Sequence, residues 1–457
     1  MMRSLNIAIV GSRMAARRCI LLAAAAVAAA AAAREDWQVE PAQYPPAHCD
    51  MENAAAVRAM YRDILEKMSD FALVPPVVRQ DNLGAYAATN LDYAMNGTVE
   101  ITPGGKLMAG WISGEDGPKG FFVSNESLDR GETWSGTKLV IDAHDPRLAM
   151  PRVTLCTTYW RDPDGKMHLF ADQSMGMYAI PGLVGCTSTD GRRGFFESVC
   201  ENPDAEKPVW SKPRRLSDGH ALNKPTVLAN GDWLLPVARG VHGGQPFHPA
   251  GVFEETWTKV WGAWWMGSSD KGKTWKMRGG VRFPDSQWFE HMCYQLKDGR
   301  LRMFARTRKG IMESWSSDNG YTWSKPAFPK GIRHPLSRFH VRRLMSGALL
   351  FLKHGLKIGE SNEGAKPYGA RSNLTAWVSD DDGETWTGGL LLEPLECSYP
   401  DMAEGPDGTL YVTYDHQRDR AAEIRLARFT EADVRAGKLV SSDAKLGIVV
   451  FKGLKRH

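Results

Sequence analysis

Four copies of one octamer constrain this chain more than any other feature. Ser127 to Trp134, Ser268 to Trp275, Ser316 to Trp323 and Ser379 to Trp386 all read Ser-x-Asp-x-Gly-x-Thr-Trp, and a degenerate copy starts at Ser188-Thr189-Asp190. Repetition of this fidelity marks an architecture built from equal units. The chemistry of the octamer is structural. A short Asp carboxylate hydrogen-bonds the backbone of its own turn, Gly supplies a positive φ, and Trp anchors the hairpin in an apolar layer. The boxes are therefore expected on hairpins, away from any site.

A second repeat sets the number of units. Gly105-Lys106-Leu107, Gly165-Lys166-Met167, Gly231-Asp232-Trp233, Gly299-Arg300-Leu301, Gly347-Ala348-Leu349 and Gly408-Thr409-Leu410 each close one hydrophobic run and open another. Successive glycines lie 60, 66, 68, 48 and 61 residues apart, enough for four strands and their loops. Six such hairpins in sequence rich in turn residues predict an all-β fold, a six-bladed β-propeller over residues 90–457. Before it, Val57, Met60, Tyr61, Ile64, Leu65 and Met68 fall at helical spacing, so 34–89 reads as an extension with one amphipathic helix. Thr430-Glu431-Ala432-Asp433 reads as the cap of a short helix near the C-terminus.

Residues 1–33 read as an export signal. Arg3, Arg13, Arg17 and Arg18 precede the apolar run Cys19 to Ala33, which is too short to span a bilayer and ends at a small-residue cleavage site. The expectation is an exported protein cleaved near Ala33, without stable membrane insertion. The segment carries four of the 57 basic residues and no acid, so the remainder balances 53 acids with as many bases. That balance gives no ground for nucleic-acid binding. Six cysteines remain (Cys49, Cys156, Cys186, Cys200, Cys293, Cys397) without metal-ligand spacing; their pairing stays open. No cofactor motif is present, and the sequence does not address oligomeric state.

The hairpin glycines serve as a ruler for the site. Nine residues before them lie Asn96, Cys156, Leu222, Glu290, Arg338 and Tyr399, at the start of each innermost strand. Seven residues after them lie Ile112, Asp172, Ala238, Arg306, His354 and Asp415, at the end of each second strand. Equivalent offsets reach equivalent places in a propeller, so these polar groups should converge near the axis. Lys224 lies two beyond Leu222. Taken singly, Tyr399 would be core, Glu290 a solvated strand end, and Arg306 or Arg371 half of a surface ion pair. In register they read as a cluster.

The octamer resembles the Asp-box of the sialidase (neuraminidase) superfamily, and the resemblance covers nearly all of the chain after residue 90. It implies an exo-acting glycoside hydrolase that removes a terminal sugar from a glycan. Tyr399, in Ser-Tyr-Pro-Asp-Met-Ala-Glu-Gly-Pro-Asp-Gly, matches the family's nucleophile. Glu290, in Glu-His-Met-Cys-Tyr-Gln-Leu-Lys-Asp-Gly, matches its base. Arg306 and Arg371 match two of three arginines that clamp the substrate's carboxylate. The third arginine is missing, because Met95 stands in its place; either Lys224 or Arg338 replaces it, or the substrate carries no carboxylate at that position. The acid/base role falls to the short loop holding Glu115 and Asp116. Asn96, His354 and Asp415 complete the predicted substrate-binding set, with an acidic sugar such as sialic acid as the expected substrate. A uronate or deoxy-sugar glycosidase, and a non-catalytic carbohydrate-binding propeller, are the competing expectations.

Overall fold

In the computed structural model the described residues are 73–117, 119–145, 152–175, 194–239, 262–284, 286, 289–364 and 370–454. The expected signal segment, the helix over 51–69, the degenerate box at Ser188, Cys49 and Cys186 lie outside them. Cys156, Cys200, Cys293 and Cys397 are buried.

Six antiparallel sheets follow one another along the chain without a crossover. Blade 1 is β1 Met95–Ile101, β2 Leu107–Ser113, β3 Phe121–Ser127 and β4 Leu139–Ile141. Blade 2 is β5 Arg152–Val153, β6 Thr157–Arg161, β7 Met167–Met175, β8 Gly194–Cys200 and β9 Arg214–Asp218. Here β5 and β6 are two pieces of one inner strand, both paired to β7. In the gap between them the Asp172 carboxylate takes the Leu155 and Cys156 N–H groups, each at 2.7 Å. Blade 3 is β10 Thr226–Val227, β11 Trp233–Arg239, β12 Gly262–Ser268 and β13 Lys276–Val281. Blade 4 has three strands, β14 Phe289–Gln295, β15 Leu301–Thr307 and β16 Gly310–Ser316. Its fourth is reduced to a single bridge between Glu313 and Ala327, short of the expected four. Blade 5 is β17 His340–Arg343, β18 Leu349–His354, β19 Leu374–Ser379 and β20 Thr387–Glu393; blade 6 is β21 Cys397–Glu404, β22 Leu410–His416, β23 Glu423–Phe429 and β24 Lys445–Lys452. Among the described residues one α-helix, α1 Glu431–Ala436, is present, capped by Thr430 and Asp433.

The second strands β2, β15, β18 and β22 are buried at every position, because each blade is covered on both faces by its neighbours. That is why these strands read as continuous apolar runs, not as alternating ones. The core is accordingly divided into six apolar layers, one between each pair of adjacent blades. The layer of Val99, Trp111, Tyr411, Ile424 and Phe451 joins blade 6 to blade 1 and closes the ring. Closure is sealed at the backbone where Leu454 N–H bonds Leu91 O at 2.6 Å.

All four octamers lie at the rim, each directly after the third strand of its blade. In the first, Ser127 Oγ donates to Asp129 Oδ1 at 2.8 Å and accepts from Gly131 N–H at 2.9 Å, while Asp129 takes the Thr133 N–H and hydroxyl. The same bonds recur around Asp270, Asp318 and Asp381. Trp134, Trp275, Trp323 and Trp386 each insert into the layer shared with the preceding blade. The octamer thus staples one blade to the next. The six ruler glycines close the inner hairpins at φ between 77° and 90°, where a side chain would be strained.

A polar hub occupies the axis. The Asp401 carboxylate is fully buried and accepts from Thr98 Oγ1 at 3.0 Å and Val99 N–H at 2.9 Å. Lys224 stands 3.3 Å from it, Arg338 3.4 Å and His340 3.3 Å. The hub therefore ties the first, third, fifth and sixth blades together.

Candidate active site

Two residues nine positions before a hairpin glycine face each other across the axis. The Tyr399 hydroxyl donates to Glu290 Oε1 at 3.0 Å. Arg306 Nη1 reaches the same Oε1 at 2.5 Å and the Tyr399 oxygen at 3.1 Å, which closes a triangle of base, phenol and cation. Glu290 Oε2 and Arg306 Nε are buried without a partner, so each keeps bonding capacity.

Local backbone geometry aims these groups. Glu290 has φ 41°, Tyr399 φ 54° and Phe289 φ 58°, in a region that non-glycine residues enter at a cost of roughly 1–3 kcal/mol each. Each lies where the inner strand slips register against its partner, between Phe289 and Met292 and between Ser398 and Asp401. Blade 1 slips at the equivalent place, between Asn96 and Thr98. Such bulges turn a side chain out of the strand's alternation, here out of the packed layer and into the axis. The surroundings hold the strain in place. Asn96 Nδ2 donates to Tyr399 O at 2.7 Å, and Ser286 Oγ links the Phe289 N–H to Arg306 O.

Burial, with help from the nearby Glu290 charge, pushes the Tyr399 phenol up to about 12 against the opposing pull of Arg306 and Arg418. The phenol therefore keeps its proton near neutral pH, and the adjacent Glu290 oxygen is the group placed to take it. Arg371 is lowered by burial and by its like-charged neighbours Arg306 and Arg418, with Tyr399 and Glu290 acting the other way. Its Nε donates to Leu336 O at 3.1 Å. Asp116 is exposed at one side of its loop, yet desolvation by the groups packed around its carboxyl and the Glu290 charge raise it against Arg418, Arg306 and Arg371. Glu115 differs, since its Oε1 bonds the Lys119 N–H of its own loop at 3.0 Å. Asp116, of the two expected acid/base candidates, feels the charges of Glu290, Arg306, Arg371 and Arg418.

The remaining predicted residues divide into supports and axis ties. Asp415 accepts from the Asn96 N–H at 3.3 Å and from Arg418 Nη2 at 2.8 Å. His354 is buried, bonds Ser337 Oγ at 3.2 Å, and is lowered to about 3 by burial and then by Arg371. Lys224 and Arg338 do not join the cluster. Lys224 Nζ is held by Val99 O, Met402 O at 2.7 Å and Glu100 at 3.0 Å. Arg338 is wholly buried on Asn223 Oδ1, Gly97 O and Leu222 O. Both are satisfied by the hub, so the alternative that one of them replaces the missing arginine gives way. Met95, in the missing arginine's place, packs with Tyr93, Ile112, Leu155 and Leu222 against Tyr399.

Sequence reasoning passed over Arg418. Its guanidinium lies over the Tyr399 ring, 4.6 Å from the centroid. The ruler could have found it, because Arg418 is ten residues after Gly408, as Glu115 is after Gly105. Among the described residues no group of three His, Cys, Asp or Glu side chains is placed to hold a metal ion.

The BNR repeat-like domain family model matches residues 105–412. A sialidase from Micromonospora viridifaciens is 24% identical over 381 residues, covering 75% of this chain and 54% of its own length. The chain thus spans about half of that relative. A xyloglucanase from Paenibacillus sp. is 27% identical over 176 residues, 36% of this chain and 17% of that protein. Among solved structures, a Hadza microbial sialidase superposes with a TM-score of 0.54 at 16% identity, over 72% of this chain and 64% of that one.

Proposed function

Because the chain belongs to the BNR repeat-like domain family and carries the six-bladed propeller of the sialidase superfamily, we propose that it is an exo-acting, retaining glycosidase. It removes a terminal acidic sugar, sialic acid first among the candidates, from a glycan outside the cytoplasm. The observation that carries this reading is the triangle of Tyr399, Glu290 and Arg306 on strained backbone.

In this reading Glu290 Oε1 takes the phenolic proton as Tyr399 attacks the anomeric carbon. The aryl–sugar bond forms while the bond to the leaving oxygen breaks, and Asp116 protonates that oxygen. Water then displaces Tyr399 in the second half of the cycle, with Asp116 as base and Glu290 returning the proton. A neutral phenol suits an anomeric carbon bearing a carboxylate, because a carboxylate nucleophile would be repelled. The raised Asp116 carboxyl suits proton donation.

The test is a panel of aryl glycosides containing a sialoside, a uronide and a rhamnoside, assayed with the purified chain and with Tyr399→Phe. Turnover of an acidic glycoside that Tyr399→Phe abolishes supports the reading. The apolar packing of Met95 where an arginine is expected favours a second reading, in which the sugar is not sialic acid. Cleavage of the uronide alone would keep an acidic sugar and set sialic acid aside, cleavage of the rhamnoside alone would establish a neutral one, and no cleavage by a well-folded chain would leave a binding propeller.

A further inference from the structure

We infer that Arg418 supplies the third cation of the substrate clamp, brought in from the last blade to do what the absent arginine of the first blade would have done. The inference rests on the acidic-sugar reading and identifies where its anion is held.

The argument starts from the turn that carries the residue. After β22 the chain turns tightly through residues 417–422. The Gln417 carbonyl accepts from the Arg420, Ala421 and Ala422 N–H groups, and Gln417 N–H is tied to Glu396 O at 3.1 Å. Arg418 therefore projects from a fixed turn, with 11% of its side chain exposed. Asp415, three residues earlier, fixes the guanidinium at 2.8 Å, and Asn96 fixes Asp415 in turn. That last bond belongs to β1, next to Met95, so Arg418 is anchored beside the vacated position. From there its guanidinium covers the face of Tyr399, while Arg306 bonds the ring's hydroxyl.

Charge balance points the same way. Arg306 is paired with Glu290 and Arg418 with Asp415. Arg371 bonds a carbonyl and is pressed by both other guanidiniums. Two guanidiniums on one phenol, with Arg371 near enough to feel their repulsion, form a site that an incoming carboxylate would stabilise by charge-assisted bonds. Lys224 and Arg338 cannot serve, because both are turned onto Asp401 in the axial hub, with 3% and 0% of their side chains exposed, whereas Arg418 lies over the Tyr399 ring.

The experiment measures binding by calorimetry, without turnover. The probes are the 2,3-unsaturated analogue of sialic acid and the 4,5-unsaturated analogue of glucuronic acid, each as free acid and as methyl ester. Arg418→Gln should weaken binding of the favoured acid by about 10- to 100-fold, the usual range for losing a charged hydrogen bond, and should leave the ester within about threefold. Arg418→Lys keeps a cation and the Asp415 pair, and should recover much of the loss. Both variants are checked by thermal unfolding. Equal weakening of acid and ester, or no weakening in a folded Arg418→Gln, overturns the role of Arg418 while Arg371→Gln still reports on the clamp. If the parent protein binds neither acid, the acidic-sugar reading falls and this inference falls with it.

Discussion

Replacing Asp401 by Asn tests whether the axial hub holds the ring together. The substitution preserves shape and removes one charge from a site with no solvent exposure. Two cations, Lys224 at 3.3 Å and Arg338 at 3.4 Å, then face a neutral amide. The Thr98 and Val99 donors also lose a carboxylate acceptor. Removing one partner of a buried, hydrogen-bonded ion pair costs about 3–5 kcal/mol, because a desolvated charge is left behind. Against a typical total of about 5–15 kcal/mol this is a large fraction. Urea unfolding at pH 7 should show it as a lower midpoint. The pH dependence gives a second reading. Burial alone would raise the Asp401 carboxyl, but Lys224, the His340 hydrogen bond and Arg338 outweigh it and hold the group far below the ordinary carboxylate range. A depressed carboxyl contributes stability that is complete above its unfolded pKa, about 4, and is lost as pH falls below that. The parent protein should therefore weaken from about pH 4 downward, and Asp401→Asn should lack that component. Adding Arg338→Met to Asp401→Asn should recover part of the loss by removing the buried cation that Asp401 had paired. A destabilisation under about 1 kcal/mol, or an unchanged acid limb, would refute the reasoning.

Three further outcomes are expected. Arg338→Met should lower stability while kcat/KM per folded molecule stays close to the parent value, since Arg338 is engaged only by the hub; a selective loss of acidic-substrate binding would return it to the site. Asp116→Asn should remove the alkaline limb of the kcat/KM profile, because the raised carboxyl must be protonated to act as acid and loses its proton as pH rises. An unchanged limb would move that role elsewhere. Asp318→Ala should cost about 1–2 kcal/mol in thermal or urea unfolding through lost turn bonds, with activity per folded molecule intact; a change in KM instead would place the octamer near substrate.

What the sequence determined by itself is what short-range chemistry encodes. The octamers were legible because Ser127, Asp129, Gly131 and Thr133 bond one another within seven residues, whatever the rest of the chain does. The hairpin glycines were legible for the same reason, and their sixfold recurrence carried Glu290, Arg306 and Tyr399 to one place on the axis. The ruler could not say which charge meets which. Arg338 occupies the same offset as Glu290 and Tyr399, yet its guanidinium lies 3.4 Å from Asp401, while Arg306 takes Glu290. Arg418 has the offset of Glu115, but Asp415 and Asn96 turn it onto the Tyr399 ring. Those pairings join residues as far apart as Asn96 and Tyr399. Only the closed ring decides them, because only there do the blades desolvate their charges together and leave each one to the partner within reach.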